Sequence, residues 1–189
     1  MYLKLQEILR EANEDEWAFN LQGGDKIRLG WMPFQMADFV AIMTEAVRET
    51  NGGVYLEVGS GIGTKMMVAR YMFDLHVGGI EYDETLATIC KQKNRGPVSI
   101  ADALSIWDGA YELADIIWMY RVFRDTELQD QLEQRIYHEM KPGAIFAGAA
   151  LQNAPKGWEI VVDDWDMGNR GAWKKPLWSI TSASFAARR

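Results

Sequence analysis

Two segments near the start of the chain carry apolar residues at helical spacing. In residues 1–17 these are Leu5, Ile8, Leu9 and Ala12, which can share one face of a helix. In residues 35–50 the apolar positions follow the order i, i+3, i+4, i+7 and i+11, and they are Met36, Phe39, Val40, Met43 and Val47. This spacing predicts a second helix with one buried face, which ends at the Asn-Gly-Gly sequence of residues 51–53.

Residues 54–149 alternate between short apolar runs and segments of helical pattern. Strands are predicted at 54–58, 77–81, 98–101, 115–120 and 144–149, and helices at 64–73, 84–93 and 125–140, the last capped by Asp125. After its first residue, the run at 115–120 is apolar throughout, as a sheet covered on both faces requires. The alternation predicts an α/β protein with a mostly parallel, doubly wound sheet and helices on both faces.

After residue 149 the alternation stops. The next apolar run follows after only about eight residues, which are too few for a crossover helix. Residues 158–163 and 172–180 are therefore predicted as two strands joined by a turn near residues 168–171. This antiparallel hairpin would add edge strands to the sheet.

Length, charge and cysteine content narrow the range of functions. The 189 residues suit one domain with a sizeable core. With 20 Lys and Arg residues against 27 Asp and Glu residues, the formal net charge is −7, which argues against nucleic acid as a partner. Cys90 is the only cysteine, so a disulfide framework and a multi-cysteine zinc site are both excluded.

The remaining sequence features concern location and surface. No apolar run approaches the roughly 18 residues of a membrane span, and the first residues lack the apolar core of a signal peptide. We therefore expect a cytoplasmic protein without a membrane partner. Four acidic residues near the end of the first helix are expected to form a solvated surface patch; they are Glu11, Glu14, Asp15 and Glu16.

Closely spaced glycines form the most informative motif. Residues 54–64 read VYLEVGSGIGT, so a predicted strand leads directly into Gly59, Gly61 and Gly63, and a predicted helix follows. This arrangement brings bare backbone against a ligand, beside the positive end of a helix. Two classes of nucleotide ligand fit such a loop.

The residues around the loop favour one of these classes. A dinucleotide site needs a small residue at the position of Thr64, whereas here the third glycine comes one residue early, at Gly63. Glu57, two residues before the first glycine, would repel a pyrophosphate but suits a ligand with an ammonium group and a sulfonium. We therefore favour a sulfonium nucleoside over a nicotinamide dinucleotide.

Five segments, in the order of the chain, extend this argument. They are EVGSGIG at 57–63, GIEY at 79–82, IADAL at 100–104, DIIWMY at 115–120 and MKPGA at 140–144. Together they resemble the motifs of the class I S-adenosylmethionine-dependent methyltransferases over about residues 35–149. The resemblance implies a Rossmann-like fold with a mostly parallel seven-stranded sheet and a C-terminal antiparallel hairpin. It also implies S-adenosyl-L-methionine as the cofactor.

The resemblance also implies a set of cofactor-binding residues. The first motif contributes Glu57, Gly59, Ser60, Gly61 and Gly63. Glu81 would hold both ribose hydroxyls, and Tyr82 would lie near the adenine ring. Asp102 would accept from the adenine amino group, the backbone amide of Ala103 would meet the ring, and Tyr120 would lie beside the cofactor.

Structural roles remain open for the same residues. Glu57 and Glu81 are also plausible as strand-end acids, and Asp102 is also plausible as a helix cap. For Tyr82, packing within the protein and contact with the adenine are equally good explanations. For the remaining candidates we favour a structural role: His76 at a turn, His138 on a solvated helix side, and Cys90 as a buried thiol.

The end of the fourth predicted strand gives weak catalytic candidates. The sequence Tyr-Arg-Val-Phe-Arg at 120–124 lacks the Asn/Asp-Pro-Pro-aromatic signature of amino-directed DNA methyltransferases. It also lacks the terminal Asp of metal-dependent catechol-type enzymes, so base methylation and a metal ligand set are both disfavoured. Tyr120 could act as a hydrogen-bonding or weakly basic group and Arg121 could bind a substrate anion. Ordinary loop roles are the alternative for both residues.

Two flanking segments could shape a substrate pocket. The sequence Gly-Trp-Met-Pro-Phe at 30–34 could close over the methionine end of the cofactor. Four tryptophans, Trp158, Trp165, Trp173 and Trp178, and five basic residues, Arg170, Lys174, Lys175, Arg188 and Arg189, crowd the C-terminal segment. We favour the interpretation that the tryptophans cover the exposed edge of the sheet. The alternatives are a binding face for an anionic or peptide partner and a homodimer contact.

The sequence therefore predicts one methyltransferase-like domain over residues 1–189. It comprises an N-terminal helical lid at 1–50, a cofactor-binding core at 51–150 and a C-terminal β-hairpin at 151–189. The predicted activity is S-adenosylmethionine-dependent methyl transfer to a small molecule or a protein side chain. A catalytically silent binding or assembly module is the alternative, and a nicotinamide-dependent oxidoreductase is a weaker one.

Overall fold

The computed structural model describes residues 2–18, 28–29, 32–164, 166 and 168–177. The helices of the described residues are α1 (Tyr2–Ala18), α2 (Met36–Thr50), α3 (Thr64–Phe73), α4 (Glu84–Gln92) and α5 (Thr126–Glu139). The strands are β1 (Val54–Val58), β2 (His76–Glu81), β3 (Val98–Ile100), β4 (Ile116–Tyr120), β5 (Ile145–Ala149), β6 (Glu159–Asp164) and β7 (Arg170–Lys174). Each element predicted from the sequence is present, and most boundaries agree within one or two residues.

The seven strands form a single sheet in the order β3-β2-β1-β4-β5-β7-β6. Strands β1 to β5 are parallel, as the alternation of strands and helices predicts. Strand β1 lies between β2 and β4, so the chain first builds the sheet in one direction and then returns to extend it in the other. A crevice opens at the carboxyl ends of the strands where the order reverses, and such crevices bind ligands.

The C-terminal hairpin is antiparallel, but only one of its strands is an edge. Strand β7 lies between β5 and β6 and pairs antiparallel with both. The prediction of two edge strands was therefore wrong for β7. Gly171 allows β7 to lie close to β6, because a Cβ added at this position would lie only 2.6 Å from the carbonyl oxygen of Val162. Strand β7 also begins two residues before the predicted segment 172–180, whose last three residues lie outside the described part.

Both faces of the sheet are covered. Helices α1 to α4 pack on one face, where the ring of Trp118 lies edge-on to Phe34 and Phe39 at centroid distances of 5.4 and 4.9 Å. Helix α5 covers the other face together with the non-helical segment at 101–115. Tyr111 holds that segment by donating to the carbonyl oxygen of Ala103 at 2.7 Å. Within the described residues, no helix has the length and apolar character of a membrane span.

The acidic end of α1 differs from the prediction of a solvated patch. Glu16 is completely buried, and Asp15 forms ion pairs with Lys93 and Arg95. Only Glu11 and Glu14, the other two members of the predicted patch, are exposed. The prediction failed for Asp15 and Glu16 because their cationic partners come from segments far along the chain.

The basic residues of the hairpin are likewise engaged within the molecule. Arg170 pairs with Asp38 and Asp164, and Lys174 pairs with Glu49 at 2.9 Å. Lys175 donates to three carbonyl oxygens at the end of α5, those of Tyr137, His138 and Met140. These contacts engage the three described basic residues within the molecule, and Arg188 and Arg189 lie outside the described residues. A binding face for an anionic or peptide partner stays a prediction.

The two described tryptophans of this region support the role of covering apolar surface. Trp173 is buried in the core on the α5 side of the sheet, and Trp158 packs against the ring of Tyr137 at a centroid distance of 5.4 Å. Trp165 and Trp178 lie outside the described residues. A dimer contact through this region stays a prediction.

Candidate functional site

A cavity of about 470 Å³ opens at the carboxyl ends of β1, β2 and β4. Eleven residues were proposed from the sequence as cofactor-binding or catalytic, and nine of them line this cavity. The nine are Glu57, Gly59, Gly61, Glu81, Tyr82, Asp102, Ala103, Tyr120 and Arg121. The fold thus brings together residues that lie up to 64 positions apart in the sequence, since 121 − 57 = 64.

The other two, Ser60 and Gly63, shape the glycine loop instead of lining the cavity. The backbone N–H groups of Gly59 and Ser60 both donate to the carbonyl oxygen of Ile80, at 2.9 and 3.0 Å. The Ser60 hydroxyl lies against Gly79, where an added Cβ would come within 2.6 Å of it. Gly63 has a φ of +76° and ends the loop as the N-cap of α3. The loop is therefore fixed to β2, and its other glycines face the cavity.

Glu57 is a buried carboxyl group with incomplete hydrogen bonding. It is the fourth residue of β1 and is 2% exposed. Within the described part of the chain, its Oε2 has no hydrogen-bond partner. Burial raises the pKa of Glu57 to about 8, against the opposing effects of Lys65 and of a hydrogen bond from the backbone of Met66. A buried acceptor without a donor is costly, so this atom suits a ligand that brings a donor.

Glu81 ends β2 on the other side of the glycine loop. Its Oε2 accepts from the backbone N–H of Gly61 at 2.6 Å, and its Oε1 accepts from that of Asp83 at 2.8 Å. Burial raises the pKa of Glu81, although these hydrogen bonds oppose the rise. Each carboxylate oxygen can accept a second hydrogen bond, so both oxygens retain the capacity to bind hydroxyl groups of a ligand.

A cation that sequence reasoning missed lies beside Glu57. Lys65, the second residue of α3, is 3% exposed and lines the cavity. Its Nζ lies 3.0 Å from Oε1 of Glu16 and 4.0 Å from Oε1 of Glu57. Burial would lower the pKa of Lys65, but the charges of Glu16 and Glu57 outweigh it and raise the pKa. Its position directly after the glycine loop was the only available signal in the sequence.

Glu16 anchors this cluster from the end of α1. Besides Lys65, its Oε1 accepts from the hydroxyl of Thr64, and its Oε2 accepts from the backbone N–H of Phe34 at 2.9 Å. One carboxylate therefore joins α1, the start of α3 and the segment before α2. Two carboxyl groups and one ammonium group, all buried, therefore cluster at the inner end of the cavity.

The opposite end of the cavity holds Tyr82, Asp102 and Arg28. The Arg28 guanidinium lies 3.7 Å from the centroid of the half-exposed Tyr82 ring and forms an ion pair with Asp102. Asp102 also accepts from the backbone N–H of Leu104 at 2.9 Å, but this bond closes a turn and does not cap a helix, because residues 101–115 are non-helical. Arg28 is a second cavity residue that sequence reasoning missed, because its partners are 54 and 74 residues away (82 − 28 and 102 − 28).

The residues after β4 are held by a buried polar network. Oε1 of Gln129 accepts from the backbone N–H groups of Val122 and Phe123, both at 3.0 Å, and its Nε2 donates to Glu133 at 2.9 Å. Arg121 donates to the carbonyl oxygens of Phe123 and Arg124, at 2.9 and 3.0 Å. These bonds give Arg121 a structural role in the loop, the alternative that the sequence left open.

The predicted closing segment is described in part. Met32 lines the cavity, and Phe34 packs edge-on against Tyr120 at a centroid distance of 5.2 Å. Leu29 donates from its backbone N–H to the carbonyl oxygen of Val122 at 2.9 Å, which joins this segment to the loop after β4. Gly30 and Trp31 lie outside the described residues. The described parts border the cavity on the side of Tyr120.

The remaining candidate residues lie away from the cavity lining. His76 and His138 are exposed, at the start of β2 and near the end of α5, and Cys90 is buried in α4. Within the ranges that the structure describes, no group of three or more His, Cys, Asp and Glu side chains is arranged to hold a metal ion.

Comparisons with known proteins give similarity in structure but not in sequence. No family model and no curated protein matches the sequence. An RNA methyltransferase from Salinibacter ruber, solved with S-adenosyl-L-homocysteine, is 16% identical with a TM-score of 0.61; the match covers 78% of this chain and 96% of that one.

Two further solved structures give the same result. A candidate caffeoyl-CoA O-methyltransferase from Staphylococcus aureus is 20% identical with a TM-score of 0.53, over 75% of this chain and 64% of that one. Phosphoethanolamine N-methyltransferase 2 from Haemonchus contortus, solved with S-adenosylhomocysteine, is 19% identical with a TM-score of 0.52, over 80% of this chain and 35% of that one. At these identities the likeness shows the fold. The chain has the fold of the class I S-adenosylmethionine-dependent methyltransferases.

Proposed function

We propose that this protein is an S-adenosylmethionine-dependent methyltransferase that acts on a small molecule or a protein side chain. One observation carries the proposal: the buried carboxyl group of Glu57 lines the cavity, and no described residue donates to its Oε2. The ammonium group of an amino acid would favour the ionised form of Glu57 and supply the missing donor. A pyrophosphate would instead bring negative charge against Glu57, which argues against a dinucleotide.

The other cavity residues fit the remaining parts of this cofactor. Glu81 would bind the ribose hydroxyls, since each of its oxygens can accept one more hydrogen bond. Gly59 and Gly61 leave room for the ligand to approach the loop backbone. Tyr82 and Asp102 would contact the adenine, for which the Arg28 side chain must move from its present contacts with both.

The protein's part in the reaction is alignment. When bound, S-adenosylmethionine supplies a methyl group on a sulfonium, which is already a good leaving group. Tyr120, Met32 and Leu29 border the side of the cavity where an acceptor would enter. Tyr120 would orient the acceptor by a hydrogen bond, and the apolar neighbours would exclude water from it. An amine acceptor that is already neutral needs no general base.

Calorimetry with S-adenosylhomocysteine tests the proposal. Wild-type protein should bind this ligand, and Glu81→Gln should weaken binding by about 1–3 kcal/mol because a buried charge-assisted contact to the ribose is lost. The matched control is Glu127→Gln on the exposed face of α5, which should bind as wild type does. Absence of heat with wild-type protein at high micromolar ligand would refute the proposal.

One observation favours a second candidate function, that of a catalytically silent binding or assembly module with the same fold. Arg28 engages both Tyr82 and Asp102, so the part of the cavity assigned to adenine is bridged by a protein side chain. The two candidates differ in methyl transfer. Protein supplied with methyl-labelled cofactor and fractionated metabolite and protein pools should label at least one pool if it is an enzyme. Binding of S-adenosylhomocysteine without any labelling would favour the silent module.

A further inference from the structure

The inner end of the cavity carries both acidic and basic side chains, and a ligand with only an ammonium group would pair with the acidic ones alone. Glu57 and Glu16 contribute two carboxyl groups, and Lys65 lies between them, with Nζ 3.0 Å from Glu16 and 4.0 Å from Glu57. All three side chains are at least 96% buried. Glu57 and Lys65 line the cavity, whereas Glu16 is not part of the lining. A ligand in the cavity therefore meets one carboxyl group and one ammonium group side by side, and a cationic group on the ligand would favour the ionised form of that carboxyl.

An amino acid carries the opposite pair of charges on one carbon atom. If its ammonium group donates to Oε2 of Glu57, its carboxylate must lie close to the same glutamate. That approach would be repulsive unless a cation stood nearby, because charges interact strongly where water is excluded. Lys65 is the cation that the chain provides at this place, and an ammonium group carries three N–H donors for several acceptors.

We propose that Lys65 binds the carboxylate of the ligand's amino-acid end while Glu57 binds its ammonium group, so that the site selects nucleosides with an intact, zwitterionic α-amino acid. The inference rests on the proposed function and makes it more specific. It names the part of the cofactor that Lys65 recognises. Glu16, through its contacts with Lys65 and Thr64, would position the ammonium group without touching the ligand.

A purely structural role for Lys65 is the competing explanation. Lys65 would then only neutralise Glu16, and loss of its charge would affect all ligands of the cavity alike. The two explanations are separated by comparing ligands that differ in the carboxylate alone. S-adenosylhomocysteine and its decarboxylated analogue share the adenosine, the thioether and the ammonium group, so the second ligand lacks only the group assigned to Lys65.

The test is calorimetry of both ligands with wild type, Lys65→Met and the control Lys174→Met. Lys174 lies on β7, away from the cavity, and pairs with Glu49 of α2. Wild type and the control should bind S-adenosylhomocysteine about 10- to 100-fold more tightly than the analogue, the range expected for a buried charge-assisted contact. Lys65→Met should bind both ligands with similar affinity. An equal loss for both ligands, or a wild type without preference, would overturn the inference.

Removal of Lys65 leaves Glu16 buried without its cation, so Lys65→Met could fail to fold. The double variant Glu16→Gln/Lys65→Met removes both charges and keeps side chains of similar size. It should show the same loss of preference, and retained preference in the double variant would also overturn the inference. If wild type binds S-adenosylhomocysteine but Lys65 has no effect, only this inference fails. If wild type binds neither ligand, the proposed function fails with it.

Discussion

Glu57 and Glu81 end neighbouring strands, yet their carboxyl groups have different surroundings. Both oxygens of Glu81 accept from backbone N–H groups of the adjoining loops. Glu57 has Lys65 at 4.0 Å and one oxygen without a donor among the residues described. Burial raises the pKa of both groups, and that of Glu57 reaches about 8. The ionisation of Glu57 is therefore coupled to folding near neutral pH.

This coupling predicts a pH-dependent effect of Glu57→Gln on stability. Between the ordinary pKa of 4.5 and the folded value of about 8, the folded protein keeps a proton that the unfolded chain has released. The free energy of unfolding of wild type therefore falls as pH rises through this window. Glu57→Gln removes this contribution, so the variant should gain stability relative to wild type as pH rises from about 5 to about 8.

Urea unfolding of both proteins at several pH values measures the effect. The control is Glu127→Gln, which makes the same chemical change at an exposed carboxyl group on α5. Parallel pH profiles for wild type and Glu57→Gln would mean that Glu57 is ionised in the folded protein across the whole window.

The sequence could predict the cavity residues Glu57 and Glu81 but not Arg28 and Lys65. Glu57 and Glu81 lie at fixed places beside glycines and strand ends, so local pattern identifies them. Arg28 and Lys65 acquire their roles from Asp102 and Glu16, which are 74 and 49 residues away. Such pairs depend on how distant segments pack, and no local pattern encodes them.

At the scale of elements, local signals were sufficient for most boundaries. Asp125 caps α5 by accepting from the backbone N–H groups of Glu127 and Leu128, as predicted. Asn51 ends α2 in the left-handed conformation at a φ of +57°. The position of β7 between β5 and β6 could not be predicted, because strand order in a hairpin depends on which neighbour offers the better packing surface.

The glycine loop yields a prediction about packing between elements. Gly63 has a φ of +76°, and an added Cβ would lie 2.4 Å from Sγ of Cys90 in α4. Gly63→Ala should therefore destabilise the fold by about 2–4 kcal/mol, from left-handed backbone strain and from overpacking. Urea unfolding measures the loss.

Gly157 provides a control with the same backbone conformation. Its φ is also +76°, but no described atom lies within 4 Å of an added Cβ. Gly157→Ala should cost only about 1–2 kcal/mol, the strain contribution alone. The additional loss in Gly63→Ala then measures the contact with Cys90, and the double variant Gly63→Ala/Cys90→Ala should recover part of it. Equal losses at the two glycines would contradict the close contact between the loop and α4.

At the scale of the whole molecule, α1 is joined to the cavity through charged side chains. Asp15 pairs with Lys93 and Arg95 beyond α4, and Glu16 reaches Lys65 at the start of α3. The hydrophobic pattern of α1 correctly predicted a buried face with Ile8 and Ala12. It could not predict that a carboxylate next to that face would also be buried, because charged residues are buried only where a partner is present.

The attachment of α1 can be tested at Glu16. Glu16→Ala leaves Lys65 buried without its nearest carboxylate and should lower the free energy of unfolding by about 3 kcal/mol. Glu14→Ala, which removes an exposed carboxylate from the same helix, should change it by less than about 0.5 kcal/mol. In a double-mutant cycle, Glu16→Ala and Lys65→Met together should cost clearly less than the sum of the two single changes, because each single change removes the buried charge that the other residue contacts. Additive losses would mean that Glu16 and Lys65 stabilise the fold independently of each other, so that the contact between them would not be what attaches α1 to the start of α3.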